Sequence, residues 1–130
     1  MPPEEGDATG SPAAWLRFAR EDLALAATRI PNVRFGLHCF HAQQAAEKAI
    51  KAVLVARGMS FPFTHDLGRL IDLLEVGGVL ISPEVRDADL LTDFAAVARY
   101  PGAIEIDEDD WRSAVASARI VIAWAERELG

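Results

Sequence analysis

The sequence predicts an all-α domain, a bundle of about five helices in up-and-down order built on a long antiparallel pair. Three observations lead there. No segment alternates apolar and polar residues with period two. Apolar residues recur instead at three- and four-residue spacing along most of the chain. The stretch from Leu37 to Arg57 holds neither Pro nor Gly, which leaves room for one long helix. With 130 residues and 51% hydrophobic composition, the chain can bury a core without disulfides.

The first twelve residues, MPPEEGDATGSP, have no basic start and no apolar run. They are expected to be a disordered tail rather than a signal peptide, which leaves 13–130 as a single domain. From Ala13 to Ile30, the residues Trp15, Leu16, Phe18, Leu23 and Ala26 recur at near-helical spacing before an IPN stop, and they define helix one. Helix two runs from about Val33 to Arg57 and ends at Gly58, a residue suited to the left-handed conformation. In the following MSFPFTHD loop, Pro62 breaks regularity and Phe61 and Phe63 are expected to plug the core.

Thr64 or Asp66 then caps helix three, Leu67 to Val76, whose Leu67, Leu70, Ile71 and Leu74 share a face. Gly77 and Gly78 close it. Ser82 before Pro83 is a cap followed by a first helical position, and it opens helix four, expected to run to about Ala96. ARYPGAIEID interrupts. The acidic run Asp107 to Asp110 suits the positive end of a last helix. Its stripe is Trp111, Ala114, Val115, Ala118, Val121, Ile122, Ala125 and Leu129.

The formal charge of −7 and pI near 4.9 disfavour broad binding to duplex DNA or to anionic membrane, so any anion site must be a local basic pocket. The lone Cys39 excludes an internal disulfide and a cysteine-rich zinc module. A reducing, cytoplasmic setting fits, and no apolar run approaches the roughly 20 residues of a membrane span.

Helix two poses the sharpest question. With Phe40 at zero and roughly 100° per residue, Gln44 falls near 40°, Lys51 near 20°, Glu47 near −20° and Leu54 near −40°. The polar residues share the face of the large apolar ones, and Lys48 sits at its margin near 80°. Cys39, Ile50 and Val53 make a second apolar surface, so the helix is expected to be largely enclosed. Polar groups placed there must be paired or reachable by a ligand. Glu47 and Lys51 can pair at i, i+4. Two readings stay open: mutual satisfaction that fixes helix packing, or the wall of a site.

Other candidates carry less. His65 and Asp66 form either an acid/base couple or a helix cap with a turn contact. His38 and His41 have an i, i+3 spacing without a companion ligand motif, so no metal is expected. Cys39 and His41 point to different helix faces and make no nucleophile pair. Arg99 and Tyr100, in RYP before the last helix, either grip a phosphate or cap helix four and pack.

Taken in order, FAREDLALA, FHAQQAAEKAIKAVLVARG, THDLGRLIDLL and ARYPGA before a final amphipathic helix resemble the HEPN domain family over nearly the whole chain after the tail. The resemblance implies a helical bundle, commonly dimeric, linked to nucleotide or RNA binding. It also implies a place beside a minimal nucleotidyltransferase partner in two-protein, toxin–antitoxin-related systems. Family ribonucleases carry an arginine followed, after four to six residues, by a histidine. Here the arginine would be Arg99, but positions 104–106 are Ile104, Glu105 and Ile106. Arg34 and His41 meet the bare spacing in the wrong part of the fold.

Loss of the imidazole forfeits an acid/base contribution of about 10²–10⁴-fold. The expectation is therefore a non-catalytic binding homodimer with no cofactor. Its ligand residues would be Lys48, Lys51, Arg99, Gln44, Glu47, His65, Asp66 and Tyr100. The alternatives are an interaction subunit without its own ligand, and a metal-independent ribonuclease using Arg99 with Glu105 or His65.

Overall fold

A computed structural model describes residues 10–97, 101–102 and 105–130. Most of the expected tail, as well as Arg99 and Tyr100, lies outside the described residues. Those described are helical or irregular, with no strand among them, in the order α1 (Pro12–Ala27), α2 (Phe35–Ala56), α3 (Leu67–Val76), α4 (Pro83–Arg86), a 3-10 segment (Asp87–Leu91), α5 (Phe94–Val97) and α6 (Glu108–Leu129).

α1 opens one residue ahead of expectation. Ser11 accepts from Ala14 N at 3.1 Å, and Pro12 occupies the first turn, where its missing N–H costs nothing. The helix ends at Ala27, three residues short of the expected Ile30. The physical reason is His38, whose ring lies under the joint. Nδ1 donates to Leu25 O at 3.0 Å and Nε2 accepts from Ile30 N at 3.3 Å. This satisfies a carbonyl of the last turn and holds the chain away from a further helical turn. Asn32, at φ 68, completes the reversal, a conformation that Asn tolerates better than most residues.

α2 is the central element, lying between α1 and α6. Ala42, Ala45, Ala46, Ala49 and Ala52 are all buried, and their small side chains let neighbouring helices approach closely on several sides. The helix closes as expected at Gly58. With φ 68, its N–H donates to Val55 O at 3.0 Å and that of Met59 to Leu54 O at 2.9 Å, the paired bonds of a Schellman end. α3 repeats this closure at Gly78, φ 90, through Gly78 N to Glu75 O and Val79 N to Leu74 O, both 3.0 Å.

Two expectations about aromatic packing change. Phe61 is buried, but Phe63 is 72% exposed. One plug suffices because Trp15 meets Phe61 edge-on, at 6.5 Å between centroids, and completes that end of the core. Phe18 is 47% exposed, and Asp22 takes the buried position that a continued apolar stripe on α1 would have filled.

Helix four is not continuous to Ala96. After Ser82 and Pro83 start α4 as expected, the chain tightens into the 3-10 segment and restarts at α5. The cause is a second use of its polar side chains. Asp89 Oδ1 accepts from Gly68 N at 3.1 Å, and Thr92 Oγ1 accepts from Leu67 N at 3.0 Å. Both donors belong to the otherwise orphaned first turn of α3. A 3-10 geometry brings both acceptors to the same helix end. α6 begins with a capping box, Asp110 N to Asp107 Oδ1 at 2.8 Å and Asp107 N to Asp110 Oδ2 at 3.0 Å. Its expected stripe faces the core.

Candidate functional site

The polar line on α2 resolves into two clusters, each centred on a carboxylate. In the first, Glu47 is buried with both oxygens occupied. Oε2 accepts from Lys51 Nζ at 2.8 Å, and Oε1 accepts from Gln43 Nε2 at 3.1 Å and from His65 Nδ1 at 2.8 Å. Gln43 also donates to His65 O at 3.0 Å, so one amide locks both the acid and the loop that carries the imidazole. Lys51 Nζ lies 5.4 Å from the Phe61 ring centroid and 5.7 Å from that of Trp15, a cation–π setting for a largely desolvated ammonium.

The consequence for His65 is chemical. A carboxylate only accepts, so Nδ1 carries the proton it donates to Glu47, and Nε2 is left with a free lone pair in the neutral ring. The His65 side chain is 51% exposed, so an inner framework of Glu47, Gln43 and Lys51 presents an oriented ring to solvent.

The second cluster joins α1 to α2. Asp22, also buried, accepts from His41 Nδ1 at 3.0 Å and from Lys48 Nζ at 2.5 Å. Both donors keep about a quarter of their side-chain surface in water. Gln44 extends the first cluster along α2 through its Nε2 bond to Gln43 Oε1 at 2.7 Å. Each cluster is electrically neutral while its histidine is neutral and gains one positive charge when the ring is protonated.

The structure thus brings Gln44, Glu47, Lys48, Lys51 and His65 onto one side of the α1–α2 pair and the adjoining loop. Asp66 plays a different part: its side chain caps α3 by accepting from Arg69 N at 3.2 Å, and Thr64 Oγ1 accepts from Asp66 N at 3.1 Å. Asp66 is thus the cap and His65 the member of the cluster. Cys39 is buried in the core. Loss of solvation, then the nearby carboxylates of Asp110 and Asp107, push its thiol up to about 12. No group of three or more His, Cys, Asp or Glu among the described residues is placed to hold a metal ion.

Sequence reasoning missed Asp22 and Gln43. The angular count that found the polar line would have found both. Asp22 falls roughly 40° from the buried Ala26 on α1, and Gln43 roughly 40° from Glu47 on α2.

The fold and clusters define a class: an all-helical domain organised round one enclosed, charge-bearing helix. The HEPN domain pattern matches residues 13–128, and the chain belongs to the HEPN domain family. Its structure is similar to that of TT1696 from Thermus thermophilus, with TM-score 0.76 and 27% identity over 90% of this chain and 97% of that one. It is also similar to ST0689, an archaeal HEPN homologue, with TM-score 0.73 and 21% identity over 94% of this chain and all of the other. No curated protein matches the chain. No described helix is long and apolar enough to cross a membrane.

Proposed function

We propose that this HEPN-domain protein is a non-catalytic homodimer that binds a nucleotide or RNA phosphate and works beside a nucleotidyltransferase-type partner. The observation that carries the reading is the imidazole anchored by Glu47. Three donors saturate the buried acid, and the acid in turn fixes a half-exposed ring with its Nε2 outward. The outward Nε2 of the neutral ring can accept from a ribose hydroxyl, and the same nitrogen, once protonated, can donate to a phosphate oxygen. Lys48 and Gln44 are the other reachable members. Lys51, Glu47 and Gln43 act from behind as positioning residues, and Arg99 and Tyr100, outside the described residues, stay in the proposed set on the sequence reading alone.

Calorimetry and thermal shift across nucleotides and short RNAs test this. Binding is expected, weakened at least several-fold by His65→Ala and by Lys48→Ala. No binding by any member of the screen sinks the reading. Light scattering at micromolar concentration is expected to give twice the 14.1 kDa chain mass.

A second reading has its own support, because Lys48 and Lys51 are each already paired with a carboxylate. On it, the clusters only set packing, and the chain is an interaction subunit. It predicts a complex on co-expression with the neighbouring gene product that survives His65→Ala and Lys48→Ala unchanged.

A further inference from the structure

A separate part of the surface has a composition unlike the rest of this acidic chain. Between the carboxyl end of α1 and the first half of α6 lies an open depression of about 320 Å³, lined by Ala27, Trp111, Arg112, Val115, Ala116 and Arg119. Its floor is small and apolar. Arg112 and Arg119 stand two turns apart on α6, about 10 Å along the axis, one toward each end. Trp111 forms the end wall, its indole fixed by an Nε1 bond to Ala26 O at 2.7 Å.

Beyond the indole, a second ring and then a guanidinium follow. Phe35 lies 5.6 Å from Trp111 between centroids, and the Arg29 guanidinium lies 4.2 Å from the Phe35 centroid. The Arg112 guanidinium lies 5.9 Å from the Trp111 centroid.

The charges divide in an informative way. Arg112 is held by Glu108 one turn earlier, and Arg29 donates to the carbonyls of Ile30 and Val33. Asp107 and Asp110 are engaged in the capping box. Arg119 is exposed and has no hydrogen-bond or ion-pair partner among the described residues. An uncommitted guanidinium over a small apolar floor, ended by a fixed indole, matches an anion joined to a flat ring. A simple anion would use Arg119 and leave the rest idle, whereas stacking on an aromatic wall suits any base.

We infer that the α1–α6 groove binds a nucleotide unit of single-stranded RNA, with its phosphate on Arg119 and its base against Trp111. The net charge of −7 disfavours a duplex lying broadly on the surface and leaves a short single strand as the form that a local patch can hold. This inference shares its ligand class with the reading above but occupies different residues on different elements.

The test is fluorescence anisotropy of fluorescein-labelled hexauridylate with the full chain, at several salt concentrations. Arg119→Glu is expected to weaken binding at least ten-fold and to reduce the slope of log affinity against log salt by about 0.7, one phosphate contact on a single strand. Arg119 has no partner to lose, so thermal unfolding should not change. Quenching of intrinsic fluorescence on binding should be absent in Trp111→Phe.

Binding weakened by His65→Ala and Lys48→Ala but untouched by Arg119→Glu overturns this inference and leaves the α2 site standing. The reverse pattern establishes the groove and removes the α2 site. Displacement by hexaglutamate as effectively as by unlabelled hexauridylate overturns base recognition in the groove, and no binding at all overturns both sites.

Discussion

Replacing Glu47 by Gln keeps the volume of the side chain and removes one charge. The wild-type carboxylate accepts three hydrogen bonds, from Lys51, Gln43 and His65. A glutamine offers one acceptor oxygen and turns its amide donors toward at least one of those three. The worst-placed partner is Lys51, whose side chain is 8% exposed against 5% for Glu47, so water cannot readily replace the lost acid. Breaking a buried pair on one side costs about 3–5 kcal/mol, because a charge stays behind unpaired. At about 3 °C per kcal/mol for a domain of this size, the midpoint should fall by about 9–15 °C.

Urea unfolding followed by circular dichroism, with the m-value checked against wild type, measures the loss directly. The informative companion is Glu47→Leu with Lys51→Met. It removes both charges, leaves Gln43 its bond to His65 O, and lets the half-exposed His65 turn to water. That double variant should lose less than half of what Glu47→Gln loses. A Glu47→Gln variant within about 1 kcal/mol of wild type refutes the view of this pair as a buried, mutually dependent unit. So does a double variant at least as destabilised as the single.

Three further outcomes follow from particular contacts. Gly68→Ala places a methyl group 2.7 Å from Asp89 Oδ1, so the carboxylate must retreat from the α3 amino end. A loss of about 1–3 kcal/mol in denaturant unfolding is expected, reduced when Asp89 is also changed to Ala. Gly58→Ala forces a Cβ into φ 68 at an otherwise open position, for a loss of about 1–2 kcal/mol that thermal unfolding can read. Cys39 gives a pH signature. Its thiol is raised from 9.0 to about 12 in the folded chain, so above pH 9 the unfolded chain releases a proton that the folded one retains. Stability should fall from about pH 9 toward pH 12, and a Cys39→Ala variant should show a shallower alkaline decline. A thiol reagent at about pH 8, below the ordinary thiol range, should label Cys39 only after unfolding.

Much of this fold is written in local rules, and the places where those rules misled share one cause. Gly58, Gly78, Ser82 with Pro83, and Asp107 with Asp110 each act within a few residues of themselves, so their signals survive in the sequence alone. Helix four fails as a continuous element because Asp89 and Thr92 spend their side chains on Leu67 and Gly68, more than twenty residues earlier. No local propensity records that bond. The end of α1 is set in the same way by His38, a residue of the next helix.

The candidate cluster was half legible. Periodicity placed Glu47 and Lys51 inward and i, i+4 spacing paired them, but the third partner, His65, comes from a loop whose approach depends on tertiary packing. Asp22 stood in plain view in FAREDLALA, yet an acid inside a helical stripe passes for a solvated one until its angle is compared with that of its buried neighbours.

The two clusters also explain why the polar line belongs on this helix rather than on a surface one. Each carboxylate ties an α2 residue to a different neighbour: Asp22 brings α1 onto His41 and Lys48, while Glu47 draws the loop before α3 onto α2 through His65. Gln43 and Gln44, adjacent in sequence, bond to each other and extend the second attachment along α2. An all-apolar α2 would bury as much area with less restriction on rotation, since hydrophobic contact has no preferred angle. The paired charges fix the rotation of α2 against α1 and the height of the loop, and so they set where the imidazole of His65 emerges. On that argument, Glu47→Leu/Lys51→Met should preserve most of the stability and still lose the fixed orientation of His65. The NMR signals of the His65 ring would then average toward those of a free histidine while the fold persists.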